Sequence, residues 1–212
     1  MKITITYDNT AFRPELKADW GFAAFIESDG HHILFDTGTD GSILLDNMRK
    51  LDIDPSDVEE VFISHNHFDH VGGLPAFLEK NNDVKIYAPP SLRKVKNARE
   101  VVRLDEPMEL HDHIFSTGEL DSIEQSMAVE TDKGLVLVVG CSHPKMKHIL
   151  DAASHFGRIH AIVGGMHGFS EYELFKDLEL ICPTHCTQHI AEIRSRYPDQ
   201  YTEGGAGKII EF

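Results

Sequence analysis

The segment His65-Asn66-His67-Phe68-Asp69-His70 places three imidazoles and one carboxylate within six residues, just after the apolar run Val61-Phe62-Ile63. Imidazole nitrogen and carboxylate oxygen are donors that suit zinc, iron or manganese. Four of them at this spacing are too many for one tetrahedral ion that keeps a position open for water, so the spacing points to two ions. His65 and His67 turn toward one, and Asp69 and His70 reach a second, about 3.5–4 Å away in binuclear hydrolytic sites generally. The chain has 14 histidines, so some clustering arises by chance. A chance cluster is not expected at the carboxyl end of a strand with Val71-Gly72-Gly73-Leu74 leading into a helix, which is where open α/β sheets place their ligand sites.

Upstream of this segment the pattern is that of a β-meander. Lys2 to Tyr7 alternates in strand fashion, and Gly21 to Glu27 joins His32 to Phe35 through Ser28-Asp29-Gly30, a hairpin turn sequence. From Ser42 the period becomes helical, with Ile43, Leu44, Met48 and Leu51 on one face, until Asp54-Pro55-Ser56 ends it before a strand expected over Val58 to Ile63. Leu74 to Leu78 opens a short helix and Val84 to Ala88 reads as a strand. Residues 91–125 are polar and mixed, with one strand expected near Ile114-Phe115.

The second half echoes the first. Met127 to Thr131 and Leu135 to Val139 form a hairpin across Asp132-Lys133-Gly134. Helices are expected over Lys147 to Phe156, Tyr172 to Leu178 and Ile190 to Tyr197, and strands over Ile159 to Val163, Leu180 to Cys182 and Lys208 to Phe212. Each half runs from strands into alternating strands and helices, which predicts an α/β fold of two packed mixed sheets with helices outside, a four-layer αββα sandwich. The nearly all-apolar strand Leu135 to Val139 is buried and delivers Gly140-Cys141-Ser142-His143 to a sheet edge. Residues two apart in extended chain face one side, so Cys141 and His143 point together.

His-X-His-X-Asp-His followed by Val-Gly-Gly-Leu resembles the signature of the metallo-β-lactamase superfamily. Phe35-Asp36-Thr37-Gly38, Gly140-Cys141-Ser142-His143-Pro144 and Pro183-Thr184-His185-Cys186 resemble its other motifs, in the expected order. The resemblance is strongest to small cytosolic metal-dependent hydrolases, some archaeal members of which are assigned to a dihydropterin-forming step of methanopterin synthesis. It implies the same αββα sandwich. It also implies that His185 completes the second metal site and that Asp36 orients the histidine cluster by hydrogen bonds without binding metal. Relatives commonly end the buried strand in Gly-Asp, with that Asp bridging the ions; Cys141 stands at the corresponding place here. His143 then replaces the bridge, serves as the third histidine of the first site, or does neither; it is taken as a metal ligand, with Cys141 beside the metals and not bound to them. His167, in Gly164-Gly165-Met166-His167-Gly168, is open to a ligand role or a substrate contact, with the second preferred, and the glycines allow close backbone approach. Cys186, next to His185, faces away from the metals. His111-Asp112-His113 reads as a solvated turn and His31-His32 as a hairpin tip, while His148, His155, His160 and His189 read as surface residues.

Composition bounds these readings. At 212 residues and 41% hydrophobic content the chain carries one sizeable core, so one domain over 1–212 is expected. No apolar stretch approaches the length of a membrane span, Met1-Lys2-Ile3-Thr4 enters a strand and not a signal peptide, and three cysteines, an odd number, fit free thiols in a reducing cytoplasm. A formal charge of −15 disfavours a nucleic-acid partner. The expected cofactors are two divalent ions, zinc first and iron or manganese as alternatives. The expected partner is a small-molecule substrate, and the pattern is silent on oligomeric state. The expected chemistry is hydrolysis of a small phosphorylated or cyclic ester, with pterin-related substrates suggested by the resemblance and Asp69 as both ligand and proton acceptor. An iron-dependent oxidoreductase and a metal-retaining binding protein with little turnover are the alternatives.

Overall fold

The computed structural model describes residues 1–212. Strand β1 (Lys2–Tyr7) pairs antiparallel with β2 (Ala23–Ser28), which turns into β3 (His31–Phe35). Asp29 and Gly30 both have positive φ, 51° and 83°, the backbone of a two-residue hairpin that the Asp-Gly pair accommodates. Helix α1 (Gly41–Lys50) follows, with the Asp40 side chain accepting from the Ser42 N–H at its start. Strand β4 (Glu60–Phe62) is shorter than its apolar run suggests, because Val58 closes a 3₁₀ turn over Pro55–Asp57. Helices α2 (Phe68–Val71) and α3 (Leu74–Lys80) and strand β5 (Lys85–Ala88) complete the readable first half.

The polar stretch after β5 holds more strand than its composition announces: β6 (Glu100–Arg103), β7 (Met108–His111) and β8 (Ile114–Ser116). The first two are edge strands with exposed side chains, which removes the apolar alternation that marks a strand in sequence. Strands β9 (Met127–Thr131) and β10 (Gly134–Val139) form the expected hairpin, followed by α4 (Met146–Ser154), β11 (Ile159–Gly165), β12 (Leu180–Thr184), α5 (Ile190–Arg196) and β13 (Ile209–Glu211). The helix expected at Tyr172 to Leu178 is only a 3₁₀ turn over Tyr172–Phe175, with Phe175 as its single buried anchor.

One sheet has the order β13-β1-β2-β3-β4-β5-β6 and the other β12-β11-β10-β9-β8-β7. Both are mixed: β3 through β6 and β10 through β12 run parallel, the rest antiparallel. Between the sheets lie Ile5, Phe35 and Phe62 from one face and Met127, Val136 and Val163 from the other. Leu44 and Met48 of α1 and Phe77 of α3 cover the outside of the first sheet; Ile149 of α4 and Ile193 of α5 cover the outside of the second. The layers are therefore αββα. Truncating a fully buried phenylalanine such as Phe62 or Phe77 to alanine costs about 3–5 kcal/mol in such a core. His160, read as a surface residue, is buried at 5% exposure, because β11 is covered on both faces and its second position points inward beside Phe212.

Candidate metal centre

The parallel strands β3, β4, β10, β11 and β12 all release their loops at one edge, and those loops carry Asp36, His65, Cys141 with His143, His167 and His185. His65 follows β4 through Ser64, and His67 precedes the first turn of α2. Thr37 holds the far end of this loop, its N–H and its hydroxyl both donating to the His70 carbonyl at 2.8 Å. Gly72 and Gly73 lie so close to the carbonyls of Thr39 and Thr37 that a side chain at either would collide with backbone, which explains the two glycines of the motif.

Three ring nitrogens converge at the first position. His65 Nε2 lies 3.1 Å from His67 Nδ1 and 3.2 Å from His143 Nε2. The tautomer of His65 is set behind it: the Ser64 hydroxyl donates to Asp36 Oδ2 at 2.6 Å and so accepts from His65 Nδ1–H at 2.9 Å, leaving Nε2 as a lone pair. His67 Nδ1 and His143 Nε2 can each donate to that lone pair or, unprotonated on that side, share a cation with it. Zinc–nitrogen bonds of about 2.0–2.1 Å in a tetrahedron put ligand nitrogens roughly 3.3 Å apart, so the donor set fits such an ion. Burial and then the neighbouring imidazoles press the His65 pKa far down, and the same two causes push His143 down to about 4. Both rings are neutral, as ligands must be.

Asp69, His70 and His185 gather at a second position. His70 Nδ1 donates to Asp36 Oδ2 at 2.7 Å, so the same carboxylate that sets His65 also turns the His70 Nε2 lone pair outward, 3.1 Å from Cys141 Sγ. Burial disfavours charge on His70, but Asp36 outweighs it and raises the pKa. His185 is held by Asn9: Nδ1 donates to Asn9 Oδ1 at 2.9 Å, and Asn9 Nδ2 donates back to the His185 carbonyl at 2.8 Å. Its backbone N–H donates to the buried Asp8 carboxylate at 2.8 Å. His185 Nε2 is then a buried nitrogen without a hydrogen-bond partner, 3.3 Å from Asp69 Oδ2. An orphaned lone pair of this kind beside a carboxylate is a fit for a second cation. Burial raises the Asp69 pKa, but the contacts with His185 and His70 outweigh it and hold the carboxyl well below its usual range.

Two residues with no motif of their own complete the centre. The Trp20 indole N–H donates to Asp69 Oδ2 at 2.8 Å, with its ring 5.2 Å from that of His185. The fully buried Glu124 accepts from the N–H groups of Gly140, Cys141 and Ser142 at 2.8–3.1 Å through Oε1 and from that of His143 at 2.8 Å through Oε2. Burial pushes its carboxyl up and the backbone donors oppose that shift. Four N–H groups aimed at two oxygens match a carboxylate, and they fix the loop that presents Cys141 and His143. No pattern of side chains marks such a role; Glu124 and Trp20 lie in stretches without periodicity.

Cys141 and His143 do point to one centre, but to different groups of it, Cys141 beside His70 and His143 beside His65. Cys186 does not face away as its neighbour position suggests: its sulfur, Cys141 Sγ and a His185 nitrogen lie within 4.8 Å of one another, because His185 has a left-handed backbone (φ 49°) that breaks the extended alternation. The contact with Cys186, followed by burial, pushes the Cys141 thiol far above its ordinary value. His167 also has positive φ, 43°, and its ring lies 4.8 Å from that of His143. Together with Lys145, Phe169 and Ser170 it lines a cavity of about 570 Å³ that opens beside His143.

A four-layer sandwich with this histidine edge defines a class of metal-binding proteins, and the chain belongs to it: the model of the metallo-β-lactamase superfamily matches residues 21–138. Over 99% of its length, and 95% of the relative's, the chain is 28% identical to the 7,8-dihydropterin-6-methyl-4-(β-D-ribofuranosyl)-aminobenzene-5'-phosphate synthase of Methanocaldococcus jannaschii. Its fold is similar to that of Tm1679, a metal-dependent hydrolase of the β-lactamase superfamily, with a TM-score of 0.81 at 24% identity over 100% of this chain and 99% of that one. It is also similar to zinc-bound PqqB from Methylobacterium extorquens, with a TM-score of 0.65 at 12% identity and full coverage of both chains. No helix is long and apolar enough to cross a membrane.

Proposed function

We propose that the protein is a metal-dependent hydrolase that uses two divalent ions, zinc first, against a small phosphorylated or cyclic ester related to the pterins. The observation that carries this reading is the convergence of His65, His67 and His143 nitrogens at 3.1–3.2 Å, beside a second group in which His185 Nε2 is buried and unpartnered. In it His65, His67 and His143 hold one ion and Asp69, His70 and His185 the other, with Asp36 fixing the tautomers of His65 and His70. When bound, such ions bring a water toward ionisation at neutral pH and polarise the substrate oxygen.

The side chains supply the rest. Asp69, ionised and hydrogen-bonded by the Trp20 indole, would accept the proton that the attacking water releases. His167 and Lys145, at the wall of the cavity beside His143, bind the anionic part of the substrate. The pterin relation is supported by the dihydropterin synthase relative, and it is analogy that carries it.

Elemental analysis of protein purified without added metal, followed by assays on phosphodiesters, lactones, thioesters and cyclic pterin phosphates, tests this reading. The expected result is a stoichiometry near two and hydrolysis that Asp69→Ala abolishes in excess metal. Saturation at one ion that His70→Ala leaves unchanged would refute the binuclear site. A second reading, a metal-retaining binding protein with little turnover, draws on Cys141 standing where relatives have a bridging Asp; it predicts no turnover across the panel and a tightly co-purifying ligand. An iron-loaded, coloured protein would favour the oxidoreductase alternative instead.

A further inference from the structure

Phe68 stands between His67 and Asp69 in the motif, and at 70% exposure it is the most exposed large apolar side chain of the protein. With Asn66 it lines a groove of about 480 Å³ between helix α3 and residues 92–97. We infer that this groove holds an aromatic ring bearing an anionic group, the part of the substrate that the reaction leaves unchanged, an inference that rests on the hydrolytic reading of the histidine cluster.

The wall of the groove is apolar. Val71, Leu74 and Leu78 come from the helical side, and Leu92 and Val95 from the facing loop. Leu74, Leu78 and Leu92 also belong to the core outside the first sheet, so packing fixes them in place. The loop itself can adjust, because no backbone group of residues 93–97 takes part in a backbone hydrogen bond. A concave apolar pocket of this size takes a small ligand, and Phe68 offers it an aromatic face against which a second ring packs edge-on or offset.

Charge narrows the ligand further. The chain has a formal charge of −15, yet Arg93, Lys94, Lys96 and Arg99 follow one another closely in this loop. Of these four only Arg99 has a carboxylate partner, Asp83 at 3.1 Å. Lys94 and Lys96 line the groove, where Glu79 is the single acid. An uncharged ring would leave the two ammonium groups unused, and a bare phosphate would leave the apolar wall unused; a ring with an anionic substituent meets both. The cavity beside His143, with Lys145 and His167, receives the reacting ester group. The groove, brought by Asn66 and Phe68 to within one residue of His67, receives what is attached to it.

Naphthalene-1-sulfonate, an aromatic anion with no ester bond to cleave, reads the groove without turnover. Calorimetric titration of the metal-loaded full chain should show saturable binding. Phe68→Ala, whose exposed side chain carries little of the fold, should weaken it about tenfold. Lys94→Glu/Lys96→Glu should also weaken it about tenfold and should abolish the loss of affinity that added salt causes in the wild type; 1-naphthol should bind the wild type and this variant alike. Metal content should be the same in all three proteins. No saturable binding by the wild type, or affinities unchanged in both variants, would overturn the inference, as would a wild-type dimer in sedimentation that Phe68→Ala abolishes, since a second copy would then fill the groove. Binding as expected in a protein that cleaves no ester would count against the hydrolytic reading and still support the groove as an aromatic-anion pocket; cleavage without binding would do the opposite.

Discussion

Trp20 Nε1 and Asp69 Oδ2 are joined by a 2.8 Å hydrogen bond, and the indole that makes it is 57% exposed. The single tryptophan of the chain therefore stands over the carboxylate as a wall of the candidate centre. Trp20→Phe should keep both metal ions and lower kcat/KM roughly fivefold, the equivalent of one hydrogen bond of about 1 kcal/mol. In the wild type, emission from this tryptophan should change as metal is added; a flat titration with metal bound would show that the indole does not sense the centre.

Glu124 should matter to the centre without touching an ion. Glu124→Gln replaces an acceptor oxygen by an N–H₂ group that confronts backbone donors, so the loop from Gly140 to His143 loses its anchor. Urea denaturation should show a loss of about 1.5–3 kcal/mol, and metal analysis should show weaker retention at the His65–His143 position. Unchanged values in both would show that the loop holds itself.

Cys141 and His143 lie two residues apart and are expected to separate in their effects. Cys141→Ser should retain metal and measurable hydrolysis, since the thiol is not among the proposed ligands and its neighbour His70 is oriented by Asp36. His143→Ala should lose one ion, because it removes one of three convergent nitrogens. The reverse pattern, with metal lost in Cys141→Ser and full occupancy in His143→Ala, would mean that their roles are exchanged.

Alkaline pH should unfold the protein by way of its core thiol. Burial pushes Cys182 from an ordinary 9.0 up to about 12, and burial likewise pushes Tyr7 from 10.0 up to about 12. A raised pKa means that the folded form keeps a proton the unfolded chain gives up, so this stability is complete below pH 9 and declines as the pH rises through about 12. For Cys182 the slope approaches about 1.4 kcal/mol per pH unit within that window. Urea midpoints at about pH 8 and about pH 11 should differ less in Cys182→Ala than in the wild type; equal differences would place the titration elsewhere.

The layered fold was legible because its buried strands are apolar throughout and its helices keep one face: β10 and α1 announce themselves. Strands β6 and β7 do not, since edge strands with exposed side chains carry no alternation. The residues of the candidate centre that follow apolar runs, Asp36, His65, His143 and His185, are visible as polar residues at strand ends. Trp20 and Glu124 are not, because the one acts through an indole N–H across a loop and the other through backbone groups of a distant turn. The burial of His160 was in reach of the sequence, since it sits inside the run Ile159 to Val163; its contact with Phe212 was not.

Asp36, Ser142, His167 and His185 all hold left-handed backbones, with φ of 54°, 60°, 43° and 49°. Each non-glycine residue in that region carries about 1–3 kcal/mol of strain, and all four sit on the loops that form the centre. Glycine at any of them would relax the chain and favour heat resistance, yet would remove a donor, an anchor or an orienting carboxylate. Selection for thermal endurance and selection for chemistry thus oppose each other at these four positions, and variants hardened elsewhere in the sandwich can be improved without entering that conflict.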